Sequence, residues 1–103
     1  MFSTDLPTVS PAEVAAGAAE GWVLLDVRTD EEWATGHIAG AVHIPMQELG
    51  GRLDEVADRV VCVCAVGGRS ARVTQWLLNQ GREAVNLDGG IWAWAQDGLP
   101  VQR

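Results

Sequence analysis

Apolar positions along this chain fall into short, separate runs that alternate between two patterns. One is the continuous stretch of a buried strand, the other the three-to-four-residue spacing of a helix facing a core. Trp22-Val23-Leu24-Leu25-Asp26 is an unbroken apolar stretch ending on a carboxylate, and predicts a buried strand. Val60-Val61-Cys62-Val63-Cys64 is apolar throughout and rich in β-branched valine, the pattern of a central strand covered on both faces. Shorter strands are predicted at Ala41-Val42-His43-Ile44, stopped by Pro45, and from Glu83 to Leu87.

Helix signals lie between them. Ser10-Pro11-Ala12-Glu13 is a capping box with proline at the first helical position, predicting a helix through about Ala19 that Gly21 closes. Thr29-Asp30-Glu31-Glu32 is a second capping signal, opening a short helix around Trp33 that Gly36 ends. Met46 to Val56 is helical in tendency but interrupted by Gly50-Gly51, which predicts two short pieces. The strongest helix runs from about Arg69 to Gln80, with Ala71, Thr74, Leu77 and Leu78 at helical spacing, Val73 and Trp76 widening the stripe, and Gly81 at its end. A last helix is expected from Gly90 to Asp97, ended by Gly98-Leu99-Pro100. Strands alternating with helices imply an α/β fold with a parallel sheet and helices on both faces. No repeat or linker interrupts the 103 residues, so one domain over 1–103 is expected.

Composition narrows the function classes. Apolar residues at 48% and charged residues at 20% fit a folded domain. The net charge is −7, and all seven cations are arginine. Such a surface repels nucleic acid and holds no basic cluster to offset that. The longest apolar run, Val60 to Val66, is too short to span a bilayer, and Met1 to Pro7 has neither the basic segment nor the apolar stretch of a signal peptide. Cys62 and Cys64 are too close along a strand for a comfortable disulfide. Reduced thiols in a cytoplasmic setting, on a monomer or weak dimer, are therefore the expectation.

The candidate chemistry sits where the most apolar strand ends, in Cys64-Ala65-Val66-Gly67-Gly68-Arg69-Ser70. Ligands of open α/β sheets bind just beyond the carboxyl ends of the strands. A helix begins immediately after this loop, so backbone N–H groups and a helix N-terminus can point at the thiol and favour its thiolate. Gly67 and Gly68 let the backbone curl into an anion-binding nest, and Arg69 adds a planar cation. Position alone leaves two readings open, a core cysteine before a turn or a reactive thiolate. The arginine and the helix favour the second.

At these residues the chain resembles the rhodanese family of sulfurtransferases. Asp26-Val27-Arg28, Gly36-His37-Ile38-Ala39-Gly40-Ala41 with Ile44-Pro45, Cys64-x-x-Gly67-x-Arg69-Ser70, and Gly89-Gly90-x-x-x-Trp94 with Gly98-Leu99-Pro100-Val101 match its motifs in order. The resemblance implies a small five-stranded parallel sheet flanked by helices. It further implies that Cys64 takes a sulfur from a donor such as thiosulfate or a persulfide, becomes a persulfide, and passes the sulfur to cyanide in vitro or to small or protein thiols in the cell, a thioredoxin-like protein among them. Residues Ala65, Val66, Gly67, Gly68, Arg69 and Ser70 would hold the substrate, Arg69 attracting an anionic donor. No metal or organic cofactor is implied. Four residues separate Cys64 from Arg69, one fewer than in phosphate- and arsenate-using relatives of the fold, so a phosphatase is the lesser alternative and a non-catalytic binding module another. Ala65 and Val66 are uncharged where thiosulfate-using relatives carry cations, which points to weak thiosulfate affinity.

The remaining candidates have structural readings. Cys62 shares a side of its strand with Cys64 and is expected to be an inert core thiol. Asp26 and Arg28 are expected to support the loop through hydrogen bonds and an ion pair, Arg28 with Glu32. His37 and His43 match no zinc pattern and are read as structural. Trp33, Trp76 and Trp94 are expected in core or helix packing, and Trp92, two residues beyond Gly90, near the pocket mouth.

Overall fold

The computed structural model describes residues 6–103. The reading of the N-terminus as lacking a leader falls mostly on residues outside that range. Five strands, β1 (Thr8–Val9), β2 (Val23–Asp26), β3 (Val42–His43), β4 (Arg59–Val63) and β5 (Glu83–Leu87), form one sheet in the order β1-β5-β4-β2-β3. Every pairing is parallel. Helices α1 (Pro11–Ala15), α2 (Asp30–Ala34), α3 (Gly68–Asn79) and α4 (Gly90–Gln96) occupy the connections. Two short 3-10 helices, Met46–Gly51 and Leu53–Glu55, lie between β3 and β4.

The uninterrupted apolar run of β4 is explained by its central place. Val60 and Cys62 pack into one core with Leu25, Val73 and Leu77, on the side of α3. Val61 and Val63 pack into a second core with Leu87 and Trp94, on the side of α1 and α4. The side chains from Val60 to Val63 are fully buried, so each of these four positions has to be apolar or internally partnered. Parallel strands bring their carboxyl ends to one edge of the sheet, which is where Asp26, Cys64 and the residues after Leu87 meet.

Several boundaries differ from the sequence pattern. Helix α1 stops at Ala15 rather than near Ala19, because the backbone reverses one turn early: Ala18 N–H donates to Glu13 O and Gly17 N–H to Val14 O. That is the bond pair of a glycine-terminated helix, and Gly17 rather than Gly21 supplies it. Strand β1 has two residues and no apolar run of its own, so hydrophobic spacing alone did not mark it. The break between the 3-10 helices falls at Arg52, which bonds Glu48 and Glu55, rather than at the paired glycines. Trp33 is in neither core. It stacks on His37 and on His43, with centroids 3.7 and 4.6 Å apart.

Leu77 is fully buried where α3 meets the sheet. Leu77→Ala is expected to cost roughly 2–5 kcal/mol of stability. Urea unfolding would register this as a lower midpoint with an unchanged slope.

Candidate active site

Cys64 follows the last residue of β4, and the chain then curls through Ala65–Gly67 into α3. Two sets of bonds fix that curl. Outside it, Ile91 N–H donates to Cys64 O at 2.9 Å and Trp92 N–H to Ala65 O at 3.0 Å, so the first turn of α4 takes the carbonyls. Inside it, three donors converge on Cys64 Sγ: Gly67 N–H at 3.1 Å, Ser70 N–H at 3.3 Å and the Ser70 hydroxyl at 3.2 Å. Gly67 has a φ of +103°, which turns its amide inward.

The electrostatic result separates the two cysteines. Burial works against ionisation of Cys64, but the Ser70 hydroxyl and the amides of Ser70, Gly67 and Val66 together outweigh it and bring the thiol below its ordinary range. Cys62 has no such ring. Burial pushes its thiol up to about 11, with Thr74 offsetting only part of this. Cys62 thus has the character of a protonated core thiol at neutral pH, and both cysteines are free.

Arg69 and Arg28 are distributed differently from the sequence expectation. Glu32 does not pair with the Arg28 guanidinium through its carboxylate. It forms a two-point ion pair with Arg69, at 2.7 and 2.8 Å, while also closing the Thr29 capping box. Arg28 instead pairs with Asp26, its Nη2 2.8 Å from Oδ2, and donates to the carbonyls of Glu32 and Gly36. Both members of that pair are buried, and Asp26 Oδ1 also accepts the Arg28 backbone N–H. The reason for the exchange is geometric: the Arg28 side chain folds back onto the Asp26 carboxylate, which leaves Glu32 facing the loop.

Beside the loop, Val66 and Trp92 are exposed apolar side chains, at 67% and 61%. With Ala65, Ile91, Thr35 and Arg28 they border a shallow recess of about 350 Å³. Trp92 therefore lines a recess bordering the Ala65–Val66 segment of the loop. His37 and His43 stay with Trp33. His43 Nε2 is 2.7 Å from Arg28 O, and among the described residues neither histidine belongs to a group that could hold a metal ion. No described helix is long and apolar enough to cross a membrane.

One contributor escaped the sequence reading. Asn86, on β5, bonds both Ser70 and Gly67. Its signal was present: a polar residue between Val85 and Leu87 on an interior strand requires an internal partner.

The sequence pattern of the rhodanese-like domain matches residues 10–97. The chain belongs to the rhodanese family. A sulfurtransferase from Allochromatium vinosum is 44% identical over 85 residues, covering 80% of this chain and 79% of its own length. The chloroplastic thiosulfate sulfurtransferase 16 of Arabidopsis thaliana is 34% identical over 112 residues, covering 89% and 93%. The crystal structure of a rhodanese-related protein from Thermoplasma volcanium superimposes with a TM-score of 0.86 at 31% identity, over 92% of this chain and 96% of that one. The rhodanese Gly89-Gly90 pair has a physical reason here: a Cβ on Gly90 would fall onto the Cys64 carbonyl oxygen and within 2.6 Å of the Ala65 carbonyl.

Two predictions follow from this geometry. Gly90→Ala is expected to lose roughly 1–3 kcal/mol by urea unfolding and to slow alkylation of Cys64, because the loop must move away from α4. The Arg69 guanidinium holds the Glu32 carboxyl at about 2, below its ordinary 4.5, against a smaller opposing effect of burial. A carboxyl lowered by folding stabilises the native state above its ordinary pKa and loses that contribution as pH falls through the lowered one. The stability gap between wild type and Glu32→Gln should accordingly be full above about pH 4.5 and close toward pH 2. Thermal melts across that range would measure it.

Proposed function

We propose that this rhodanese is a sulfurtransferase that carries sulfane sulfur as a persulfide on Cys64. The observation that carries the reading is the set of donors aimed at a single sulfur, two from backbone amides and one from a hydroxyl. A preorganised ring of this kind stabilises a sulfur anion as an oxyanion hole stabilises oxygen. With thiosulfate, the Cys64 thiolate bonds to the outer sulfur, the sulfur–sulfur bond of the donor breaks, and sulfite leaves with the electron pair. The persulfide then gives its outer sulfur to an acceptor and Cys64 returns to thiolate. Cyanide leaves as thiocyanate in vitro. A small thiol or a thioredoxin-like protein fills the acceptor role in the cell.

The surroundings favour a persulfide or protein-borne donor over the thiosulfate dianion. Arg69 is neutralised by Glu32, Arg28 by Asp26, the recess beside the loop is bordered by Val66 and Trp92, and the chain carries −7 overall. Little positive field is left to attract a dianion. The short loop between Cys64 and Arg69 argues for a sulfur-sized rather than a phosphate-sized cradle.

Incubation with thiosulfate or with glutathione persulfide, followed by intact mass measurement, tests the reading. Wild type is expected to gain one sulfur that cyanide removes as thiocyanate, Cys64→Ala to gain none, and Cys62→Ser to behave as wild type. The KM for thiosulfate is expected to exceed that for the persulfide. Absence of any sulfur adduct with both donors, or hydrolysis of an aryl phosphate that Cys64→Ala abolishes, would overturn the proposal.

A further inference from the structure

Asn86 stands beside Cys62 in the β4–β5 register and is buried to 7% exposure, on the sheet face that carries Cys64. Its carboxamide touches both halves of the sulfur cradle. Nδ2 donates to the Gly67 carbonyl at 3.2 Å, and Oδ1 accepts from the Ser70 hydroxyl at 2.5 Å. That same hydroxyl lies 3.2 Å from Cys64 Sγ. A serine hydroxyl has one proton to give. Ser70 is fully buried, so the proton is divided between the sulfur and Asn86 alone.

The charge on the sulfur decides that division. A thiolate is an ionised acceptor and draws the stronger bond. In a neutral thiol Sγ accepts weakly, and its own S–H needs an acceptor, which the Ser70 oxygen provides while its proton turns to Asn86. In a persulfide the charge resides on the outer sulfur, and the inner sulfur again accepts weakly. Without Asn86, a buried hydroxyl would be stranded in both of these states.

We propose that Asn86 is a positioning residue that accepts the Ser70 hydroxyl hydrogen bond whenever the Cys64 inner sulfur is uncharged, and so sets the balance between the thiolate and its uncharged-sulfur forms, thiol and persulfide. The inference rests on the reading of Cys64 as the sulfur carrier. The other groups around the loop are the Arg69–Glu32 and Asp26–Arg28 pairs and the Cys62 thiol, and the variants below alter none of them.

The thiol titration, followed by ultraviolet thiolate absorbance, provides the test, with Cys62 set apart because burial pushes its thiol up to about 11. Asn86→Leu and Asn86→Ala are expected to lower the Cys64 pKa by roughly half a unit to one unit, since the proton is left to the sulfur alone. Ser70→Ala should raise it, and adding Asn86→Leu to Ser70→Ala should then change nothing further. In the wild type, the side-chain carbonyl carbon of Asn86 should shift in the NMR spectrum as Cys64 titrates and again on persulfidation, and this response should vanish in Ser70→Ala. A pKa that is unchanged or raised in both Asn86 variants, or a shift that persists equally in the Ser70→Ala background, would overturn the proposal. Should the Asn86 variants fail to fold, a wild-type carboxamide carbon indifferent to the titration would overturn it. The titration reads the thiol whether or not sulfur is transferred, so its outcome is separable from failure of the transfer assay.

Discussion

A loop can turn its amides toward one buried atom only if its carbonyls are taken elsewhere, and the rest of this site follows from that constraint. The carbonyls of Cys64 and Ala65 are accepted into the first turn of α4, and that of Gly67 is held by Ala71 N–H and Asn86. Left without partners, these groups would compete with the sulfur for the same donors. Gly90 is the point at which the two segments come closest, and its missing side chain is what allows them to meet. Helix α4 is therefore part of the site although it contributes no group that reaches the sulfur.

Around that centre, Glu32 links elements distant in sequence. One carboxylate caps α2 through Thr29 and pairs with Arg69 at the start of α3, 37 residues away. The pairing holds the guanidinium against α2 and removes its charge from the mouth of the site. An ion pair at this degree of exposure contributes modestly to stability. Its larger effect is on the orientation of Arg69 and on the local field, since the pairing offsets the guanidinium charge beside the loop.

Much of this was readable from the residues. The uninterrupted β4 run located the central strand, Gly67 and Ser70 of the expected loop direct donors at Cys64 while Arg69 turns to Glu32, and the capping boxes at Ser10 and Thr29 opened their helices where expected. What escaped was set by contacts across the fold. No local pattern distinguishes Asp26 from Glu32 as the partner of Arg28, because that choice depends on how one side chain folds back. Strand β1 is two residues of edge pairing against β5, too brief for an apolar rhythm. Trp33 looked like core by residue type, and its stacking on two histidines arises only once β3 and the turn after α2 are side by side. Asn86 could have been found, since an interior strand position occupied by an amide demands a partner.

The contrast between the two cysteines has a practical corollary. They are two residues apart in sequence, Cys62 within β4 and Cys64 just beyond its end, yet three donors converge on Cys64 while burial dominates at Cys62. An electrophile added near neutral pH distinguishes them by ionisation rather than by access alone. Of the two buried thiols, Cys64 is therefore the one expected to react first with maleimides and iodoacetamides.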